Sequence, residues 1–332
     1  MYLISNHDIT DPRLNLALEE YCLRHPEMGA DYLLFYVNEP SIIIGRNQNT
    51  IEEINADYVR DNGLHVVRRV SGGGAVYHDH GNLNFSFITR YDRRFFHNFR
   101  KFTEPVISAL QRLGVDAELT GRNDILAGGR KISGNAQYTR GKRMLSHGTL
   151  LLNSRLESVM AALNVQSDKI ASKGLKSVRS RVANIAEFLD TPLSMADFKA
   201  RLVEAIFDPF GGVREHPLTE ADWREVHALA RDKYGTWEWN YGRSPAFNIR
   251  RTHRFPIGQV DARIDVAKGC IREIRIFGDF IGMTPVSELE GILRGTPYRR
   301  NALKKTLSKV DISAFIGEIS IQEFIGFLAP AS

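Results

Sequence analysis

Three consecutive glycines, Gly72–Gly74, constrain the fold of this chain most, because an arginine and a serine precede them and a strand-like segment follows. The stretch from Arg69 to Phe87 reads R-V-S-G-G-G-A-V-Y-H-D-H-G-N-L-N-F-S-F. Glycines let a ligand approach the backbone closely, and they permit positive φ angles. Their N–H groups can then form a concave site for an anion.

The residues around the glycines favour such a site over a turn or a β-bulge, which is the usual structure of a glycine-rich stretch. Arg69 carries a permanent positive charge that can bind a carboxylate or phosphate through two parallel hydrogen bonds. Ser71, His78 and Asn82 add polar groups in the same loop and strands. We therefore expect the function of the chain to depend on this segment.

A second glycine-rich segment surrounds a lysine. It reads G-R-N-D at 121–124 and G-G-R-K-I-S-G-N at 128–135, so that Lys131 lies among glycines and small polar residues. A lysine ammonium is a compact point charge that suits an oxyanion or a phosphate oxygen. Asp124 suits two roles equally well, a magnesium ligand or the cap of a turn.

Three further segments carry polar or aromatic residues. His147, in S-H-G-T-L, lies on an expected strand, where a histidine is more often a hydrogen-bonded core residue than a base. The range 169–181 is strongly basic and has no acidic residue. It predicts a solvated loop, a nucleic-acid patch or a mobile lid over a phosphate-bearing ligand. The motif W-E-W-N-Y-G at 237–242 indicates packing at a domain junction.

Composition excludes several classes of protein. A chain of 332 residues is long enough for two domains. No apolar run is long enough to span a bilayer, and the first residues lack the pattern of a signal peptide. The two cysteines, Cys22 and Cys270, have no metal-site spacing, which favours a cytoplasmic protein. The net charge of +5 indicates either an ordinary solvated surface or attraction to an acidic partner.

The order of the expected elements predicts the fold class. Periodicity predicts a helix over 11–24 and strands over 32–37, 41–44 and 145–152. Strands come in clusters rather than in regular alternation with helices. This favours an α+β fold with a mixed, mostly antiparallel sheet and flanking helices.

Two local patterns make sharper predictions. Thr50 and Glu53 have the spacing of a capping box, which predicts one helix that ends near Gly63. Phe85 and Phe87 alternate with polar residues, which predicts a strand with one buried face.

The character of the chain changes near G-R-S-P at 242–245. Beyond this point, isoleucines predict a short sheet, and helices follow. We therefore expect a catalytic domain over 1–246 and a smaller α+β accessory domain over 247–332.

Four segments, in this order, resemble lipoate–protein ligases of the bacterial type. They are R-R-V-S-G-G-G-A-V-Y-H-D-H-G-N-L-N-F-S-F, then G-R-N-D with K-I-S-G-N-A-Q, then S-H-G-T-L-L-L-N, and S-K-G-L-K-S-V-R-S-R-V. The resemblance is close over about 1–250 and looser beyond. It implies the biotin/lipoate ligase architecture, which is shared distantly with class II aminoacyl-tRNA synthetases, and a small C-terminal domain.

The resemblance also implies an activity with two steps. Lipoate and ATP, with Mg²⁺, give lipoyl-AMP and pyrophosphate, and a lysine of an acceptor lipoyl domain then takes the lipoyl group. The implied acceptors are E2 subunits of 2-oxoacid dehydrogenases and the glycine cleavage H protein. We expect a cytoplasmic monomer that binds neither nucleic acid nor membrane.

Site residues follow from the same resemblance. Lys131 is the expected catalytic residue, and Asp124 the expected metal ligand. The substrate-binding residues are His147, Lys173 and Arg179. The nucleotide-binding residues are Arg69, Ser71, Gly72, Gly73, Gly74, Tyr77, His78, Asn82 and Lys131.

Other functions remain open at this point. Octanoyl and lipoyl transferases of the same fold use a cysteine nucleophile and no ATP. A related enzyme could transfer only preformed lipoyl-AMP. A basic nucleic-acid-binding module would explain the charge but not the two glycine-rich segments.

Overall fold

The computed structural model describes residues 1–25, 29–92, 98–121, 123–163, 181–242, 247–267 and 269–329. Its strands are β1 (Tyr2–Ile4), β2 (Tyr32–Val37), β3 (Ser41–Ile44), β4 (His65–Arg68), β5 (Val76–His78), β6 (Asn82–Arg90), β7 (Ala117–Thr120), β8 (Asp124–Ala127), β9 (Arg130–Arg140), β10 (Arg143–Leu151), β11 (Ile249–Phe255), β12 (Gly258–Ala267) and β13 (Cys270–Gly278).

The helices of the described ranges surround these strands. They are α1 (Pro12–Arg24), α2 (Thr50–Glu53), α3 (Ala56–Asp61), α4 (Arg100–Arg112), α5 (Leu156–Ala162), α6 (Met195–Phe207), α7 (Glu220–Leu229), α8 (Trp237–Asn240), α9 (Val286–Leu293), α10 (Arg300–Leu307), α11 (Ser313–Ile316) and α12 (Ile321–Leu328). A π-helical turn, Ala230–Tyr234, continues α7, and 3₁₀ turns occupy Ile185–Phe188 and Asp208–Phe210.

A seven-stranded sheet forms the centre of the molecule. Its strand order is β1-β2-β6-β10-β9-β8-β7, with β1 and β2 parallel and the other neighbours antiparallel. A small sheet, β4-β3-β5, lies in the same part of the chain, and β11-β12-β13 form a third sheet with the C-terminal helices. The prediction of an α+β fold with a mostly antiparallel sheet is confirmed.

Both faces of the central sheet are buried, so the prediction of one buried face for β6 is wrong. Phe85 and Phe87 pack with α4 and α6 in the core on one side. Asn84 and Ser86 alternate with them and are equally buried, at 2% and 0% exposure. These polar residues face the side that α1 covers, and this side contains the candidate site described below.

Side-chain caps begin six of the twelve α-helices in the described ranges. Asp11 accepts a hydrogen bond from the Arg13 amide and begins α1, and Ser194 and Thr219 cap α6 and α7 in the same way. The single helix predicted from Thr50 to Gly63 is instead two short helices. Thr50 forms no capping box because its hydroxyl donates to the Asn240 carbonyl and accepts from Arg68.

Arg68 is the largest fully buried side chain of the described residues, at 1% exposure. Its guanidinium donates to six oxygens from two separate loops. They are the carbonyls of Gly45, Arg46, Gln48, Trp239 and Asn240 and the hydroxyl of Thr50. Trp239 and Asn240 therefore pack against the end of β4, whereas Trp237 remains 62% exposed.

The C-terminal sheet and helices contact the rest of the chain through a short segment after β13. The Gly278 amide donates to the Asn47 carbonyl at 2.8 Å. Phe280 belongs to the C-terminal core and Ile281 to the core of the central sheet, so that this segment joins the two. No described helix is long and apolar enough to cross a membrane.

Replacement of Arg68 should destabilise the fold strongly. Arg68→Met keeps much of the volume but leaves five buried carbonyls without their donor, and we expect the free energy of unfolding to fall by about 3 kcal/mol or more. Urea unfolding measures this loss. Arg60→Met, at an exposed arginine, should change the same quantity by at most about 0.5 kcal/mol. Equal losses in the two variants would contradict the structural role of Arg68.

Candidate functional site

A cavity of about 150 Å³ lies between the central sheet, the small sheet and α1. It is lined by Leu16, Tyr36, Ile43, Arg69, Gly73, Gly74, Ala75, Val76, His78, Asn84, Asn123, Lys131, Gly134, Asn135, Ala136, His147, Gly148 and Thr149. The two glycine-rich segments of the sequence thus meet at one cavity, with Lys131 on one wall and Gly73–Gly74 on another. The wall also includes aliphatic side chains.

Arg69 holds the glycine loop through hydrogen bonds from its guanidinium. Its Nη2 donates to the carbonyls of Gly72 and Gly74, at 2.6 and 2.9 Å, and its Nε donates to Ser71 Oγ at 3.0 Å. Its Nη1 donates to the Ile43 carbonyl at 3.2 Å. Burial lowers the pKa of Arg69 to about 10, so the guanidinium stays charged at neutral pH. Most of its donors hold the protein's own backbone, which turns the loop amides away from the arginine.

The glycines are required by close contacts as well as by dihedral angles. Gly73 has a φ of +91°, which favours glycine. A Cβ on Gly72 would lie 2.3 Å from the Phe280 carbonyl oxygen, because the segment after β13 packs directly on the loop. The Gly73 amide donates to the same carbonyl at 3.4 Å. The loop is therefore held between Arg69 on one side and the C-terminal segment on the other.

A β-bulge directs Lys131 towards the cavity. Leu126 pairs with Lys131 but Ile125 pairs with Ser133, so one extra residue lies in β9. Such a bulge bends the strand and redirects its side chains. The Lys131 amide donates to the Arg181 carbonyl at 2.7 Å, which adds a further backbone anchor. Its Nζ lies 2.9 Å from Asp124 Oδ1, so the two residues form an ion pair.

His78 presents a buried donor to the cavity. Its Nδ1 lies 2.9 Å from the amide nitrogen of Asn38, which donates to it. The proton of the neutral ring is then on Nε2, and this atom has no hydrogen-bond partner among the described residues. Burial, and then the charge of Arg69, lower the pKa of His78 to about 3. An unpaired buried donor in a cavity wall indicates that a ligand atom accepts from it.

His147 belongs to a buried hydrogen-bonded chain. Its Nε2 lies 2.6 Å from Ser71 Oγ, and its Nδ1 lies 3.0 Å from the carboxylate of Glu19. Ser71 is 0% exposed and does not line the cavity itself. It is connected to the cavity by its hydrogen bond with His147. The sequence alone left His147 between a core residue and a base, and the structure places it in the cavity wall with both nitrogens hydrogen-bonded.

Several expected site residues lie elsewhere. Tyr77 is on the opposite face of β5 from Val76 and His78 and packs with Ile42 and Ile44. Asn82 does not line the cavity, and its amide donates to Asn84 Oδ1 at 3.1 Å. Strand alternation explains the position of Tyr77, since a motif identifies a segment but not which face meets the ligand. Asn82 lies on the same face of β6 as Asn84, but at the start of the strand, outside the cavity lining.

The remaining predictions concern charged groups. Lys173, Arg179 and most of the basic range 169–181 lie outside the described residues. The described ranges contain no group of three or more metal-ligating residues, so that Asp124 is not part of a preformed metal cluster.

Sequence reasoning missed several cavity residues. Asn38, Asn84 and Asn135 are buried and take part in the hydrogen bonds around the cavity. Glu19 carried a detectable signal, because it lies three positions from both Leu16 and Cys22 on the buried side of α1. A carboxylate at a buried helical position needs donors, and this requirement identifies it as a residue with a specific role.

Two family models match most of the chain. The lipoyl protein ligase A/B catalytic domain matches residues 11–207, and the bacterial lipoate protein ligase C-terminus matches residues 244–328. A lipoate-protein ligase of Bacillus subtilis, LplJ, is 54% identical over 330 residues, which cover 99% of this chain and 100% of the relative.

The chain belongs to the lipoate–protein ligase family. An archaeal bi-partite ligase from Thermoplasma acidophilum, described together with its E2 lipoyl domain, has a TM-score of 0.66 and 33% identity, covering 75% of this chain and 98% of that one. A lipoate-protein ligase A bound with ATP has a TM-score of 0.62 and 34% identity, covering 73% and 97%. The family and enzyme class predicted from the four segments are confirmed.

The low pKa of His78 predicts a pH dependence of stability. The ring is neutral in the folded protein but binds a proton in the unfolded chain below about pH 6.5, so stability falls as the pH falls through that value. Between pH 7 and pH 5.5 this group should remove about 1 kcal/mol from the free energy of unfolding. His78→Gln should show a correspondingly shallower pH dependence in urea unfolding. Parallel curves for the two proteins would contradict a buried neutral ring.

Proposed function

We propose that this lipoate–protein ligase uses ATP to convert lipoate into lipoyl-AMP and transfers the lipoyl group to a lysine of an acceptor lipoyl domain. The observation that carries the proposal is the single cavity lined by Lys131 and by Gly73–Gly74. Leu16 and Val76 in the same wall suit an acyl chain. One cavity thus offers apolar surface for a tail and cationic, backbone-rich surface for two anionic groups.

The first step must bring two anions together. A carboxylate oxygen of lipoate attacks the α-phosphorus of ATP, the bond from that phosphorus to the bridging oxygen breaks, and pyrophosphate leaves. Two unit charges at 4 Å repel each other by about 4 kcal/mol at an effective dielectric constant of 20. Positive charge and oriented N–H groups are needed to offset this repulsion.

Lys131 supplies this charge in the proposed mechanism. The ammonium donates to the acyl oxygen and to a phosphate oxygen, and it stabilises the charge that develops on both. Its ion pair with Asp124 keeps the side chain extended in the ligand-free protein. The bulge at Lys131 and the backbone hydrogen bond to Arg181 fix the backbone from which the Lys131 side chain extends.

The glycine loop and His78 supply neutral donors. The amide of Gly74 suits a phosphate oxygen, because no side chain separates it from a ligand. His78 Nε2–H suits a polar atom of the adenylate. It donates as a neutral group at physiological pH, since burial keeps the pKa of His78 at about 3.

The second step transfers the lipoyl group. The amine nitrogen of the acceptor lysine attacks the acyl carbon of lipoyl-AMP, the bond from that carbon to the phosphate oxygen breaks, and AMP leaves. Lys131 again stabilises the negative charge on the acyl oxygen. We propose E2 subunits and the glycine cleavage H protein as acceptors, and the archaeal ligase described with an E2 lipoyl domain supports this choice.

Asp124 fits a magnesium ion that arrives with the nucleotide. Mg²⁺ is commonly bound by one or two carboxylates together with substrate phosphates rather than by a full protein cage. Asp124, about one-third exposed beside Lys131, can provide one such carboxylate. When bound, the ion neutralises phosphate charge and favours departure of pyrophosphate.

The cysteines argue against a transferase that forms an acyl-thiol intermediate. Cys22 is fully buried within α1, and burial raises the pKa of its thiol. Cys270 lies in the C-terminal sheet, and neither residue lines the cavity. A nucleophilic cysteine must reach the substrate as a thiolate.

Removal of the Lys131 ammonium should abolish most of the activation step. We expect Lys131→Ala to reduce lipoate-dependent pyrophosphate exchange by roughly a hundred- to a thousand-fold, which is typical for the loss of one oxyanion donor. Lys142→Ala, at an exposed lysine, serves as the control. Mass spectrometry of an acceptor domain incubated with ATP, Mg²⁺ and lipoate follows the complete reaction. Near-normal exchange by Lys131→Ala would contradict the assigned role.

Asp124 can be tested by binding alone. Calorimetry should show that Mg²⁺ tightens ATP binding to the native protein, and that Asp124→Asn reduces this enhancement by about tenfold. Without Mg²⁺, the variant should bind ATP at least as tightly, because a negative charge near the phosphates is gone. Identical Mg²⁺ dependence in both proteins would exclude Asp124 as a ligand.

A further inference from the structure

Glu19 lies at the centre of a buried hydrogen-bonded chain that the mechanism above does not use. The residue is 1% exposed. Its Oε1 accepts from the hydroxyl of Tyr36 at 2.9 Å and from the hydroxyl of Ser86. Nδ1 of His147 lies 3.0 Å from Oε2 and 3.1 Å from Oε1. These contacts surround the carboxylate with donors from three strands of the central sheet, β2, β6 and β10.

The direction of the hydrogen bonds follows from the carboxylate. Because a carboxylate only accepts, Nδ1 of His147 carries the proton, and Nε2 of the neutral ring is an acceptor. The Ser71 hydroxyl, 2.6 Å from Nε2, therefore donates to it. Ser71 Oγ in turn accepts from Nε of Arg69 at 3.0 Å.

The chain ends at the glycine loop. Arg69 Nη2 holds the carbonyls of Gly72 and Gly74, at 2.6 and 2.9 Å. One continuous series of hydrogen bonds thus runs from Glu19 through His147, Ser71 and Arg69 to the loop. A change of the histidine tautomer would require the serine hydroxyl to rotate and would alter its hydrogen bond with the arginine.

We propose that Glu19 is a positioning residue for the activation step, which fixes the tautomer of His147 and thereby holds Ser71, Arg69 and the glycine loop in the shape that binds nucleotide. Its kinetic consequence rests on the proposed function. The tautomer itself does not, and it can be measured in the protein without substrates.

The next residue offers a matched control. Glu20 is also 1% exposed and also accepts from a tyrosine hydroxyl, that of Tyr234 at 2.7 Å. Its other partners are Arg24, Arg140 and Lys233, none of which lines the cavity. Loss of either carboxylate removes a buried acceptor, but only Glu19 is connected to the loop.

Glu19→Gln should reverse the histidine tautomer. Two hydroxyls donate to Oε1, so the amide oxygen of glutamine takes that place and its amide nitrogen faces Nδ1 of His147. The amide then donates to Nδ1, and the ring proton moves to Nε2. Nitrogen-15 NMR of the imidazole should show this exchange in Glu19→Gln and not in Glu20→Gln.

Kinetics test the consequence for the loop. Glu19→Gln should raise the KM for ATP in pyrophosphate exchange by roughly tenfold, a size typical of coupled residues. Glu19→Asp, which keeps the carboxylate, should restore part of the loss, and Glu20→Gln should leave the KM unchanged. The effects of Glu19→Gln and Ser71→Ala should be less than additive, because both break one chain.

The outcomes separate the inference from the proposed function. An unchanged tautomer in Glu19→Gln, or additive effects with Ser71→Ala, would overturn the positioning role while the function stands. A native protein without lipoate-dependent exchange would overturn the proposed function. The NMR result would still show whether Glu19 fixes the tautomer of His147.

Discussion

Two consecutive buried arginines at the end of β4 organise the loops on which the site depends. Arg68 and Arg69 extend to opposite sides of the strand, and each donates mainly to backbone carbonyls. A guanidinium has five donors in a rigid plane, so it can hold several segments of irregular backbone at fixed distances. Arg68 joins the chain near Gly45 to the chain near Asn240, and Arg69 shapes the glycine loop.

This arrangement explains how a loop of glycines can be rigid enough to serve as a binding site. Free glycines are flexible, and a flexible loop would lose entropy when a ligand orders it. Here Arg69 donates to the carbonyls of Gly72 and Gly74, and the Phe280 carbonyl accepts from the Gly73 amide. The site is thus ordered before the nucleotide arrives, which lowers the cost of binding.

The fold was largely predictable from the sequence because its signals are local. The helix expected over 11–24 begins after the cap Asp11, and the limits of β2 and β3 match the expected strands. The capping box predicted at Thr50 does not form, because the buried Arg68 donates to the Thr50 hydroxyl. No regular spacing in the sequence links these two residues. Tertiary hydrogen bonds of this kind produce no periodic pattern in the sequence.

The site was only partly predictable for a related reason. The glycines and Lys131 were found because backbone access and an unusual lysine context are visible in the sequence, and the structure brings them to one cavity. Tyr77 lies in the correct segment but does not line the cavity, since the alternation of a strand buried on both faces does not say which face meets the ligand. Asn82 lies on the cavity face of β6, but it is hydrogen-bonded to Asn84 at the start of the strand and does not line the cavity. The partnership of Glu19 with His147 joins residues far apart in the chain, and no spacing predicts it.

The central claim is that the ordered glycine loop and Lys131 hold an acyl group and a nucleotide in reactive contact within one cavity. A crystal structure with a non-hydrolysable lipoyl-adenylate analogue tests it most directly. We predict that Lys131 Nζ lies within hydrogen-bond distance of both the acyl oxygen and the phosphate-equivalent group, with the Gly74 amide on that same group. An analogue whose phosphate-equivalent group binds away from Lys131, or away from the loop, would contradict the claim.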